Sequence, residues 1–161
     1  MQKILITGGT GLLGKEMVKG FLHKKCVVYF TTTSQSKSDM LLKNIKSSLR
    51  KKCIPIVQKF ENIDDINFFI KKYKNLNFNV LVNNARDISN LNLSIKNTDF
   101  YNSFDNEIFL AVYLPYFLST KLNQKNLNNI VNISSMYGVV PPNKNLYSDK
   151  YKSSPIYYGV S

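Results

Sequence analysis

Thr7-Gly8-Gly9-Thr10-Gly11-Leu12-Leu13-Gly14 places glycines 9, 11 and 14 in the spacing G-x-G-x-x-G, the densest chemical signal in the chain. Glycine permits a tight turn and lets backbone N–H groups approach a pyrophosphate, whose charge a following helix N-terminus favours. Gly14 lets that helix lie close to the sheet. No G-K-[ST] closes the motif, so the lysine and hydroxyl of a phosphate-loop NTPase are absent. Gly8, Gly9, Thr10, Gly11, Leu12, Leu13 and Gly14 are therefore candidate contacts to a dinucleotide. In such a site the second strand normally ends in a carboxylate that accepts from the adenosine ribose. Here the matching stretch is Phe30-Thr31-Thr32-Thr33-Ser34-Gln35-Ser36-Lys37, with no carboxylate. Thr31 joins the candidates, and hydroxyls with Lys37 suit a 2′-phosphate, which favours NADP over NAD. The same Ser and Thr equally suit capping of the next helix.

The loop works only if strand and helix flank it, and the apolar pattern supplies both. KILIT at 3–7 is a short apolar run, and Leu12, Leu13, Met17, Val18, Phe21 and Leu22 then recur at helical spacing. CVVYF at 26–30 begins a second round, with Met40, Leu41, Ile45 and Leu49 on one helical face. IPIV at 54–57 begins a third, followed by Ile63, Ile66, Phe69, Ile70 and Tyr73. NVLVN at 79–83 and NIVNIS at 129–134 are the fourth and fifth strands. Between these two, an apolar segment from about 100 to 122 predicts a long buried helix, which Pro115 should kink or break into an irregular turn. Nearly continuous apolar strands alternating with helices argue for an α/β fold, a parallel sheet covered on both faces. The polar stretch at 141–155 is the one long run without periodicity.

Composition narrows the function classes. With 161 residues and 43% hydrophobic content, the chain forms one globular domain with a real core. No apolar run is long enough to span a bilayer, and the N-terminus lacks a signal-peptide pattern, so a cytoplasmic protein without a membrane partner is expected. Cys26, Cys53 and the single histidine, His23, give no spacing for a metal site or a histidine-based triad. The net charge of +12 raises nucleic acid as a partner. All but two of the 22 cations are lysines, however, and they are scattered along the sequence with asparagine equally abundant. Only Arg50 and Arg86 offer a guanidinium fork, so no nucleic-acid partner is expected.

TGGTGLLG, NNA at 83–85, IVNISS at 130–135 and PIYYGVS at 155–161 together resemble the short-chain dehydrogenase/reductase family, in order and across the whole chain. The resemblance implies a Rossmann-type doubly wound parallel sheet in the order 3-2-1-4-5, a bound NADP or NAD, and carbonyl/alcohol redox chemistry on a small-molecule substrate. It implies that Asn84, Ala85 and Ile133 lie against the cofactor and that Asn83 bridges strands. It makes Ser135 the hydroxyl that hydrogen-bonds the substrate oxygen, and Tyr158 the proton donor or acceptor of a Y-x-x-x-K motif. A phenol beside a carbonyl can supply the proton as charge develops on oxygen, while a serine positions the group. A lysine four residues on stabilises the phenolate.

The chain departs from the pattern in four places. Tyr158-Gly159-Val160-Ser161 ends where the lysine would be next, so residues 1–161 are expected to be a single dinucleotide-binding domain truncated before its last helices and strands. The full-length form is then expected to be a homo-oligomer. The alternative is a catalytically silent dinucleotide-binding fragment. Arg86 stands where the family has glycine, and Val112 where many members carry an active-site asparagine. The Ser135-to-Tyr158 interval is long, with 141–154 as an apparent insertion. Together with a glycine motif similar to the family's sugar-nucleotide branch, this suggests a reductase of surface-sugar biosynthesis.

Overall fold

A computed structural model describes residues 1–86, 97–120, 127–140, 143 and 145, with side chains of the long helix from residue 109 onward. Five strands form one sheet: β1 (Lys3–Ile6), β2 (Val27–Thr32), β3 (Cys53–Val57), β4 (Val80–Asn83) and β5 (Asn129–Asn132). Their order is β3-β2-β1-β4-β5, and every pairing is parallel. The helices are α1 (Leu12–His23), α2 (Gln35–Lys43), α3 (Ser47–Arg50), α4 (Ile63–Lys72) and α5 (Asn97–Thr120). This is the doubly wound architecture expected from the alternating pattern.

Side chains of β1 alternate between two cores, as a strand period of two requires. Ile4 and Ile6 pack with Val28, Phe30 and Val82 against Val18 and Leu22 of α1 and Leu41 of α2. Leu5 packs with Tyr29, Ile56 and Leu81 against Ile66, Phe69 and Ile70 of α4 and Leu114, Phe117 and Leu118 of α5. Burial on both faces is why these strands read as continuous apolar runs. α4 carries the clearest local start signal: Asn62 Oδ1 accepts from the N–H groups of Asp64 and Asp65 at 3.0 and 3.1 Å. Those carboxylates occupy its first turn and Lys71 and Lys72 its last, both matched to the helix dipole.

Three local expectations change. The segment after β2 is two helices, α2 closed by Asn44 and then α3, so Ile45 is buried in a turn and Met40 is exposed on α2. α5 is continuous through Pro115, with Leu114, Phe117 and Leu118 anchored in the core, and no irregular turn interrupts it. The ring removes one helical hydrogen bond, and burial of the flanking side chains holds the helix together regardless. β5 ends at Asn132 rather than residue 134, although the Ile133 N–H still donates to Asn83 O at 2.9 Å.

Candidate functional site

The glycine loop joins β1 to α1 at the carboxyl end of the sheet, between the ends of β2 and β4. Gly8 has φ +64°, a conformation that side chains disfavour, and a Cβ there would stand 2.8 Å from the Ala85 Cα. A Cβ on Gly14 would run into the carbonyl oxygen of Gly8 and come within 2.8 Å of the Gly9 Cα. The turn therefore requires glycine at 8 for its backbone and at 14 for close approach.

Neighbouring strands hold the loop in place. The Gly8 N–H donates to Thr31 Oγ1 at 3.1 Å, and the Gly9 N–H to Thr31 O at 2.9 Å. Thr10 Oγ1 lies 2.8 Å from Thr32 Oγ1. From the other side, Asn84 Nδ2 donates to the carbonyl oxygens of Thr7 and Gly8 at 3.0 and 3.2 Å. Thr7 Oγ1 accepts from the backbone N–H groups of Asn84 and Ala85, both at 2.9 Å. Sequence reasoning misses Thr7, because its role is visible only once β4 lies beside β1. The one signal it leaves in the sequence is a polar residue at the end of an apolar strand.

Gly11 is the N-cap of α1, with no side-chain cap and no acidic residue in the first turn. Gly11, Leu12 and Leu13 are exposed there. Backbone donors and a positive helix end are thus left to solvent at this loop, a chemistry that fits an anionic pyrophosphate. At the end of β2, Thr31 and Thr32 are buried and committed to the loop, while Ser34 accepts from the Lys37 N–H at 3.3 Å as the cap of α2. Capping accounts for Ser34, and Thr33, Gln35, Ser36 and Lys37 remain exposed.

Asn83 Nδ2 donates to Asn132 Oδ1 at 2.8 Å, tying β4 to β5 in the strand-bridging role expected of it, and its own Oδ1 is buried with no hydrogen-bond partner among the described residues. Ser135 lies three residues beyond β5 at this same end of the sheet. Its Oγ accepts from the Tyr137 N–H at 3.2 Å, at the start of the turn Met136–Gly138, which leaves the hydroxyl proton for another acceptor. Ile133 is 42% exposed next to the Asn83 backbone. Arg86 is partly buried directly after Ala85, and Val112 is exposed on α5. The structure thus brings the glycine loop, Thr31, Asn84, Ala85, Ile133 and Ser135 to one end of the sheet. Tyr158 and most of 141–154 lie outside the described residues.

The family model for short chain dehydrogenases matches residues 2–149. The chain belongs to the short-chain dehydrogenase family, a family of oxidoreductases. Solved structures agree on the fold. Serine dehydrogenase from Escherichia coli superposes with a TM-score of 0.75 at 21% identity, over 99% of this chain and 69% of that one. ElxO with NADP bound gives 0.75 at 24% identity, over 99% and 61%. A short-chain dehydrogenase from Leptospira borgpetersenii serovar Hardjo-bovis with bound NAD+ gives 0.76 at 22%, over 99% and 59%. The chain therefore spans about three fifths to two thirds of the length of these structures. None of the curated proteins compared with the sequence matches it. No described helix is long and apolar enough to cross a membrane.

Proposed function

We propose that the chain is the dinucleotide-binding part of an NAD(P)-dependent oxidoreductase that interconverts a carbonyl and a secondary alcohol. The uncapped start of α1 beneath a loop braced by Thr31 and Asn84 carries this reading, since it offers backbone donors to a pyrophosphate. A bound nicotinamide would supply or accept the hydride. Gly8 through Gly14 would hold the pyrophosphate, with Thr31, Ala85 and Ile133 beside the cofactor and Asn84 bracing the loop it rests on.

The absence of a carboxylate at the end of β2, with Lys37 exposed in the first turn of α2, supports NADP over NAD. A lysine there compensates a 2′-phosphate, whereas an acidic residue would repel it. Ser135 would donate its hydroxyl proton to the substrate oxygen. Tyr158 would exchange a proton with that oxygen, and a cation beside the phenol would lower its pKa. In a form of the protein that turns over, Tyr158→Phe should abolish turnover while leaving dinucleotide affinity within about twofold, because only the proton-transfer group is removed. Retained turnover would remove Tyr158 from the mechanism. The sugar-biosynthesis reading rests on the glycine motif and the long interval before Tyr158; reduction of a nucleotide-linked keto sugar by purified enzyme tests it.

A further inference from the structure

Lysines that look scattered in the sequence are sorted by the fold. In a parallel sheet with helical crossovers, every helix-to-strand connection lies at the amino ends of the strands, opposite the glycine loop. Here the connections and last helical turns that lead into β2, β3 and β4 are HKKC at 23–26, KNIKSSLRKK at 43–52 and KKYK at 71–74, with Lys3 opening β1. They carry eleven Lys and Arg and no Asp or Glu. At the other end, the described loops and first helical turns set Lys15, Lys37, Lys59 and Arg86 against Glu61, Asp64, Asp65 and Asp99. Most of the chain's net positive charge is therefore concentrated on one end of the sheet.

Backbone bonds join these connections into one surface. Val28 N–H donates to Lys52 O at 2.8 Å, Val27 N–H to Gln2 O at 2.9 Å, Asn79 N–H to Lys3 O at 2.8 Å and Asn128 N–H to Asn79 O at 2.9 Å. With strands about 4.8 Å apart, five strand ends make a row about 19 Å long. Lysine in the last turn of a helix complements the helix dipole, which accounts for Lys43, Lys71 and Lys72. Arg50 is a local staple, its Nε donating to Ile45 O at 3.0 Å. Neither reason covers Lys24, Lys25, Lys46, Lys51, Lys52 and Lys74, which lie beyond the helices, all but the partly buried Lys52 exposed, with no carboxylate among them.

We propose that this end of the sheet docks the phosphate backbone of double-stranded nucleic acid without reading its sequence. Lysine is a point charge suited to phosphates, and the single arginine is occupied. A duplex carries one charge per about 1.7 Å of axis, so a row of this length faces several phosphates at once. A shallow hollow lined by Lys19, His23, Lys46 and Leu49 gives the surface a concave edge. An anionic bilayer fits less well, because these segments expose no large apolar side chain, Met1 just before Lys3 being exposed beside them, and little would insert.

The test is fluorescence anisotropy of a labelled mixed-sequence 20-base-pair DNA duplex titrated with the full chain between 50 and 200 mM salt. Saturable binding at 50 mM that weakens at least tenfold by 200 mM is expected. Lys24→Glu/Lys52→Glu should lower affinity at 50 mM at least tenfold and flatten the salt slope by about two. Lys15→Glu/Lys59→Glu, with the same change in net charge, should lower it less than threefold. Both variants are first checked for an unchanged melting temperature, and Lys25→Glu/Lys51→Glu replaces the first pair if it unfolds. No binding at 50 mM, equal losses in the two variants, or tighter binding to vesicles containing phosphatidylserine would each overturn the proposal.

Discussion

The side-chain amide of Asn84 lies 3.0 Å from the carbonyl oxygen of Thr7, and the same nitrogen reaches Gly8 O at 3.2 Å. One residue after β4 thus fixes the path of the chain as it leaves β1. Replacing Asn84 by aspartate exchanges a donor for an acceptor facing two carbonyls. Asn84→Asp should cost about 1–3 kcal/mol, the usual penalty for a lost buried partner, and weaken dinucleotide binding at least tenfold. Asn84→Ala should fall between the two proteins. Chemical denaturation and a binding titration on the same samples measure both effects.

Two glycines of α1 should respond in opposite directions. Gly14→Ala forces a Cβ against the Gly8 carbonyl and the Gly9 Cα, so a loss of about 1–3 kcal/mol is expected, with dinucleotide binding lost. Gly20 lies in the same helix, and a Cβ added there would meet nothing within 4 Å, so Gly20→Ala should stabilise by up to about 1 kcal/mol. Equal effects from the two substitutions would contradict the packing described for the loop.

Thr31→Val tests the brace from β2. Valine keeps the shape and removes the acceptor of the Gly8 N–H, leaving that donor without the partner it has at 3.1 Å. A loss of about 1 kcal/mol is expected, and Thr31→Ser should restore most of it. Thermal denaturation of the three proteins measures the effect.

Burial pushes the Cys53 thiol up to about 11. An unfolded thiol titrates near about 8.5, so above that pH the unfolded chain has released a proton that the native chain still holds. The contribution is fully present below about pH 8.5 and is lost as pH rises toward 11. Stability should therefore fall over this window, and Cys53→Val should fall less steeply. At pH 8 the native thiol should react with a disulfide reagent only as fast as the protein opens.

The strands and most helices were legible because burial on both faces writes itself as apolar runs, and the glycine spacing placed the loop between β1 and α1. Thr7, and Asn132 as the partner of Asn83, were not legible, since their bonds cross from one strand to a neighbour far away in sequence. Thr31 reads from the sequence as a cofactor contact, yet its side chain also supports Gly8. The irregular turn that Pro115 could have introduced is absent because tertiary packing on both sides outweighs one lost hydrogen bond. Charge sorting is hidden for the same reason as Thr7: the lysines converge only when the crossovers bring the strand ends into one row.

The most direct measurement is a titration of the full chain with NADPH and with NADH, followed by nicotinamide fluorescence. Saturable binding of NADPH, at least fivefold tighter than NADH and lost in Gly14→Ala, is the predicted result. Absence of saturable binding by either dinucleotide to folded protein would contradict the account.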